Sequence, residues 1–288
     1  MRRRLSILIG AHKTASTHLQ RSVTDSRAAL APHGVGVIGP MPIGADVLPL
    51  SGLLRGRADP ELLRLAAEGF LRKHVGDAER VVLMNENILG SLAPNMLLQD
   101  DRLYKFAPGR VKRVVQLFEN HDVQVGVAIR APRTFLVSAW QENMKGHAFH
   151  SFRQYLGHTD LSGLRWHRMI KRLQQTLSEV PVFVWRYEDY PGVALSVLQH
   201  AMGDAAQAVT LRESAANPGF SGAAINWLAA HGEVSKESTR EALQRFPKGT
   251  EFPAYDPWSD DERGLLDRTY DQDCAKLAEM PGVTLIRP

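Results

Sequence analysis

Three short segments carry residue types at spacings suited to chemistry on a dense anion. The first is Gly10-Ala11-His12-Lys13-Thr14-Ala15-Ser16-Thr17, which follows a continuous apolar run beginning at Leu5 and leads into a stretch with Ala15, Leu19 and Val23 one helical turn apart. A strand–loop–helix turn of this kind aims unpaired backbone N–H groups and the positive end of the helix at one point. Lys13 adds a point charge there, and Thr14, Ser16 and Thr17 add hydroxyl donors. The second segment, Arg130-Ala131-Pro132, closes the apolar run Val123 to Ile129, with Ser138 farther along. Arginine supplies a permanently charged fork, and the serine lies roughly two turns into the helix that Pro132 opens. The third, Asn85-Glu86-Asn87, follows the run Val81 to Met84 and sets a carboxylate where a general base would stand. Plainer readings compete with each: a polar helix cap, an ordinary strand–helix turn, a salt-bridging glutamate.

The first segment is not the ATPase/GTPase loop, because it contains no Gly-Lys pair followed by Ser or Thr. It resembles instead the 5′-phosphosulfate loop of the sulfotransferases that use 3′-phosphoadenosine-5′-phosphosulfate (PAPS), whose usual form is Lys-Thr/Ser-Gly-Thr/Ser-Thr. Here Ala15 stands where glycine is usual, and His18 where a small polar residue is more common. The second segment resembles the 3′-phosphate motif of that family, an Arg-x-Pro followed by serine at this spacing. Two further segments echo the family: Trp185-Arg186-Tyr187-Glu188-Asp189, which would set Tyr187 near the adenine, and Arg212-Glu213-Ser214, which would bring Arg212 to the 3′-phosphate side. Two motifs of one family in the expected order, each after a strand, make coincidence a poor account of both.

The resemblance covers Leu5 to about Ser214 and implies a bacterial-type enzyme. It implies PAPS as donor, 3′-phosphoadenosine-5′-phosphate (PAP) as product, and no metal. His12, Lys13, Thr14, Ala15, Ser16, Thr17, Arg130, Ser138, Tyr187 and Arg212 would hold the nucleotide. Lys13 would stabilise charge on the leaving phosphate. Glu86 is the candidate base, with His12 as the alternate. The acceptor is open among small-molecule, carbohydrate and lipid hydroxyls or amines. A non-catalytic nucleotide-binding protein of the same family and a P-loop kinase are the competing functions. The kinase lacks both its Gly-Lys loop and an acidic residue placed for magnesium.

These segments need elements to position them. Short apolar runs at Leu5 to Gly10, Gly34 to Ile38, Val81 to Met84, Val123 to Ile129, Val182 to Trp185 and Val283 to Ile286 read as strands. Helical patterns lie between them, from Thr14 to Leu30, Leu62 to Leu71, Pro108 to Phe118, Pro132 to Lys145 and Leu161 to Leu177. The alternation predicts an α/β chain with three layers, a central parallel sheet flanked by helices, and with the resemblance a P-loop NTPase-like sulfotransferase fold. Ligands in such sheets sit beyond the carboxyl ends of the strands, where the three segments fall. Residues 1–288 read as one domain whose part beyond about residue 215 is mostly helical.

Composition sets outer bounds. With 288 residues and a formal charge of +4, the chain is mildly basic without a concentrated basic run, so nucleic acid is not an expected partner. One cysteine, Cys274, allows neither an internal disulfide nor a cysteine-based zinc site, which points to a reducing, cytoplasmic setting. Arg2, Arg3 and Arg4 before Leu5 to Ala11 imitate a secretion signal, but the apolar stretch is short and ends at His12-Lys13. No stretch is long enough to span a bilayer. His147 and His150 lack a third ligand. The helix face from Trp140 through Gln141, Glu142, Asn143 and Lys145, and the apolar segment Leu48 to Leu54, are candidate acceptor-pocket linings. Oligomeric state is not legible.

Overall fold

Residues 2–39, 59–213 and 219–288 are described in a computed structural model of the chain. Six strands, β1 (Arg4–Leu8), β2 (Val35–Ile38), β3 (Arg80–Met84), β4 (Asp122–Ile129), β5 (Val182–Arg186) and β6 (Val283–Ile286), form one sheet in the order β2-β3-β1-β4-β5-β6. Every neighbouring pair is parallel. The helices are α1 (Ser16–Asp25), α2 (Arg27–Leu30), α3 (Pro60–Val75), α4 (Pro94–Leu97), α5 (Ala107–Gln116), α6 (Pro132–Asn143), α7 (Phe152–Leu156), α8 (Trp166–Leu177), α9 (Tyr190–Met202), α10 (Gly222–His231), α11 (Lys236–Arg245) and α12 (Asp260–Ala278). The predicted three-layer α/β architecture is the one observed.

Alternation along the strands explains the layers. Leu5, Ile7 and Ile9 enter one buried cluster, with Val81, Leu83, Val125, Val127, Val182 and Val184. Leu8, Val82, Met84, Ala128, Phe183 and Trp185 enter a second cluster on the other face, with α1 and α9. Strands buried on both faces read as continuous apolar runs, which is why they stand out in the sequence. Gly126 is required by this packing: a Cβ there would lie 2.5 Å from the Phe183 ring and 2.8 Å from Leu8.

The sheet order places the site. After β1 the chain leaves toward β2 at one edge, and after β4 it leaves toward β5 on the other side. Adjacent strands with diverging connections open a crevice at their carboxyl ends. The loop after β1 and the arginine after β4 flank that crevice, and the Asn85-Glu86-Asn87 turn enters from β3, the other neighbour of β1.

Two helical stretches are broken or start later than expected. The Thr14 to Leu30 stretch breaks at Ser26 (φ −82°, ψ 5°), whose hydroxyl donates to the Ser22 carbonyl at 2.8 Å. The Leu161 to Leu177 stretch begins as a 3-10 turn, Leu161–Gly163, and the α-helix starts only at Trp166. The cause is tertiary. Asp273 of α12 accepts the Trp166 N–H at 2.6 Å and so caps α8 from outside its own sequence.

Two of the three arginines that imitate a leader are engaged in structure. Arg3 is buried and donates to the carbonyls of Ala78 (2.5 Å) and Gly76 (2.7 Å), while Arg2 pairs with Asp122 at 2.6 Å. Among the described residues, no helix is long and apolar enough to cross a membrane.

The buried Cys274 lies on α12, where burial pushes its thiol up to about 11. Alkylation of the native chain at pH 8, followed by mass spectrometry, is expected to leave Cys274 unmodified. After denaturation it should take up one equivalent.

Candidate functional site

The loop after β1 is built by backbone geometry. Pairing with β4 continues past the strand, with the Ile9 N–H on the Gly126 carbonyl at 2.9 Å and the Ala11 N–H on the Ala128 carbonyl at 3.0 Å. Gly10 sits so close to β4 that a Cβ would lie 3.1 Å from that of Ala128. Lys13 (φ 63°) and Ala15 (φ 61°) then both adopt the left-handed conformation. The buried Thr14 hydroxyl donates to the Ala11 carbonyl, so it holds the loop closed rather than presenting its proton outward. Ala15 is the N-cap of α1 and no side chain caps the helix, so the first-turn N–H groups, those of Ser16 and Thr17 among them, lack a side-chain cap.

Arg130 spans the crevice. Its Nη1 donates to the Lys13 carbonyl at 2.8 Å and its Nε to Thr134 Oγ1 at 3.0 Å. The guanidinium lies over the Tyr187 ring, 4.3 Å from its centroid. Burial lowers the Arg130 pKa, with Tyr187, Glu188 and Tyr270 pulling the other way, yet a guanidinium stays protonated. The result is a poorly hydrated, fixed cation. Ser138 follows two turns into α6 and is half-buried. Sequence reasoning thus brought Lys13, Arg130, Ser138 and Tyr187 to one crevice wall by pattern, and the structure joins Lys13, Arg130 and Tyr187 by direct contact.

The segment around Arg130 is held from behind by Glu188 and by residues that carry no motif. The Ala131 N–H donates to Glu188 Oε1 at 2.8 Å, and the Tyr270 hydroxyl of α12 donates to Glu188 Oε2 at 2.7 Å. The Trp166 indole donates to the Arg130 carbonyl at 2.7 Å, and the Trp258 indole to that of Arg133 at 3.0 Å. Asp273, which caps α8 at Trp166, also accepts from Arg165 Nε at 2.7 Å and pairs with His167 Nδ1 at 2.6 Å. Glu188 had a signal in the Tyr-Glu-Asp run. Tyr270, Trp166 and Asp273 had none, because their role exists only through contacts more than 30 residues away in sequence.

On the β3 side, Asn85 is buried and its side chain caps the 3-10 turn Glu86–Ile88 by accepting the Asn87 N–H at 2.9 Å. Arg110 fastens that turn from α5, donating to the Ile88 and Asn87 carbonyls at 2.9 Å each. Glu86 Oε2 accepts from Gln20 Nε2 of α1 at 2.6 Å. His12 is fully engaged. Its Nδ1 lies 2.8 Å from the Tyr104 hydroxyl and its Nε2 3.3 Å from Asn87 Oδ1. The Tyr104 oxygen accepts the His12 backbone N–H and donates to Nδ1, which leaves the ring proton on Nε2 facing Asn87. Burial lowers the His12 pKa despite the Asn87 bond and nearby Glu86. A neutral imidazole with its lone pair turned to a buried tyrosine offers no basic nitrogen to a substrate in this conformation.

A second carboxylate stands opposite. Glu142 Oε2 accepts from Lys13 Nζ and from Lys145 Nζ, each at 2.9 Å. Burial alone would raise the Glu142 pKa, but the two ammonium groups outweigh it and hold the carboxyl below its ordinary range. Two of its helix neighbours, Trp140 and Gln141, do not line a pocket. Trp140 is fully buried with its indole on the His150 carbonyl, and Gln141 is buried against the Phe220 N–H. The Arg212 guanidinium pairs with Asp25, at the last residue of α1, while the Arg212 carbonyl meets His18 Nε2 at 2.8 Å near the start of that helix. The side chain of Arg212 therefore points along α1 away from the loop. The segment Leu48 to Leu54 lies outside the described residues, as does Ser214.

No protein-family model and no curated protein matches the chain. Among solved structures, the chain is similar to a sulfotransferase from Alicyclobacillus acidocaldarius, with 13% identity, a TM-score of 0.46, and coverage of 97% of this chain and 96% of that chain.

Two substitutions check this description. Ala15→Gly relieves a left-handed alanine and should raise stability by about 0.5–1 kcal/mol in denaturant unfolding, since the strain removed exceeds the added unfolded-state entropy. Tyr270→Phe leaves a carboxylate oxygen of Glu188 without its donor and should cost about 1–2 kcal/mol in the same measurement.

Proposed function

We propose that the chain is a sulfotransferase that binds PAPS in the crevice between β1 and β4 and moves its sulfuryl group to a hydroxyl or amine of a small-molecule, carbohydrate or lipid acceptor. The observation that carries this reading is the bond from Arg130 to the Lys13 carbonyl, which couples one anion-holding segment to the other. A nucleotide with phosphate groups at both its 5′ and 3′ ends needs two such segments at a fixed separation. An ATP-type ligand needs one loop and a metal-binding acid. The same reading takes the chain as one domain, because a single buried cluster includes both Leu5 and Leu277.

In this scheme Lys13, Ser16, Thr17 and the first-turn N–H groups of α1, with Thr14 and Ala15 shaping the loop, receive the 5′-phosphosulfate. Arg130 and Ser138 receive the 3′-phosphate, and Tyr187 flanks the base. The acceptor oxygen forms a bond to sulfur as the bond from sulfur to the bridging oxygen breaks. Glu86 takes the acceptor proton, and PAP leaves with the electron pair on its 5′-phosphate. Lys13 and the helix N–H groups offset that developing charge. Positioning and electrostatics supply the rate, as in phosphoryl transfer. Lys13 pairs with Glu142 at 2.9 Å, so donor binding draws its ammonium from a carboxylate to a phosphate.

That contact favours one second reading, in which Glu142, released by Lys13, is the base instead of Glu86. Glu86→Gln and Glu142→Gln separate the two. The base variant should lose about 10²–10⁴-fold in kcat while PAP binding stays within about twofold. Equal, small losses in both would overturn either assignment.

The donor reading is tested by calorimetry with PAP, AMP and ATP in the absence of magnesium. PAP should bind most tightly. Arg130→Ala should weaken PAP by about 10–100-fold and AMP by much less, since the 3′-phosphate loses its charged partner while loss of the tether to Lys13 falls on both ligands alike. A wild-type chain that does not distinguish PAP from AMP would sink the proposal.

A further inference from the structure

Outside the crevice, α8 presents a face with no counterpart in the chemistry above. Met169, Ile170, Leu173 and Leu177 are buried, and Arg168, Lys171 and Arg172 lie one turn apart on another side. With Arg102 and Arg165 they line a cavity of about 290 Å³, floored by Leu103. None of its lining residues belongs to the crevice.

The arrangement is electrostatically unfavourable as it stands. Like charges three and four residues apart on a helix repel. The first turn of α8 holds no acidic residue, so cations crowd its positive end. Arg165 is neutralised by Asp273. Among the described residues, Arg102, Arg168, Lys171 and Arg172 form no ion pair with a carboxylate. Asp160, which feels the charge of Arg168, is occupied by Ser162 through both its N–H (2.9 Å) and its hydroxyl (2.7 Å). Arg172 is the most constrained. One of its nitrogens donates to the Leu103 carbonyl at 3.1 Å, while its Nε is inaccessible and without a partner. Burial, and then the neighbouring Arg102, lower its pKa, which marks a charge lacking its counterion.

We propose that this cavity is a second anion site, which takes a small ligand carrying at least two phosphate or sulfate groups. A single monoanion would leave most of these cations unanswered, whereas guanidinium forks match the paired oxygens of phosphate and sulfate esters. The volume suits a compact ligand, near the lower end of small-molecule pockets at roughly 300 Å³. No aromatic side chain lines it, so it lacks the stacking platform that single-stranded nucleic acid requires. The proposal stands whether or not the crevice binds PAPS.

The test uses the full chain and two probes, inorganic pyrophosphate and a disulfated disaccharide, titrated by calorimetry. Arg168→Ala/Lys171→Ala removes two exposed cations without touching the core. It should weaken the preferred probe by about tenfold or more, as expected for lost charge-assisted bonds. Lys13→Ala, which disables the crevice loop, should leave that binding within about twofold. Tighter binding of pyrophosphate would assign a phosphorylated ligand, and tighter binding of the disaccharide a sulfated one. If neither probe binds the wild-type chain, or if Lys13→Ala abolishes binding while the double variant does not, the second site does not exist.

Discussion

Arg130 donates a hydrogen bond to the carbonyl of Lys13, and much of the site's geometry depends on that contact. It joins the loop after β1 to the end of β4 across the point where the two connections diverge. Main-chain pairing between the two reaches only as far as Ala11 and Ala128, so beyond that point side chains such as Arg130 set the spacing. Arginine suits the task because its fork can hold a carbonyl on one side, Thr134 on another, and still face an aromatic ring. The loop it steadies is strained at Lys13 and Ala15, and such strain persists only when the surroundings over-determine it.

The surroundings in question come largely from the far end of the chain. Helix α12 reaches the Arg130 segment by two routes, through Tyr270 and Glu188 to the Ala131 N–H, and through Asp273 and Trp166 to the Arg130 carbonyl. Its own start is a capping box of Ser259 and Glu262, and Glu262 also receives a two-pronged contact from Arg153. That contact comes first among the causes that hold the Glu262 carboxyl at about 2. The C-terminal third thus braces the end of β4, the kind of support a candidate site needs if it is to be preorganised to within a fraction of an ångström.

Charge is distributed unevenly around this frame. In the crevice, Lys13 and Lys145 share Glu142, and the Glu86 turn is tied by Gln20 and Arg110. On the outer face of α8, by contrast, four cations gather without ion-paired carboxylates. In the first arrangement the cations are answered by a protein carboxylate. The second has no such carboxylate, and a net charge of only +4 makes that local excess a matter of placement rather than of composition.

Strand positions and their parallel packing were legible from residue type and order, as was the placement of Lys13, Glu86 and Arg130 just after strand ends. Buried strands announce themselves by apolar runs, and anion-holding groups must follow those runs directly. Other features were decided only by tertiary contact. His12 reads as a possible base until Tyr104 and Asn87 occupy both of its nitrogens. Trp140 and Gln141 read as pocket lining until the helix turns them into the core. Helix α8 starts at Trp166 because Asp273, from α12, supplies its cap. The difference has one physical source. Local sequence sets backbone preference and the alternation of buried faces. A side chain's hydrogen-bond partner and its hydration are set by groups distant in sequence, which only the folded chain brings within reach.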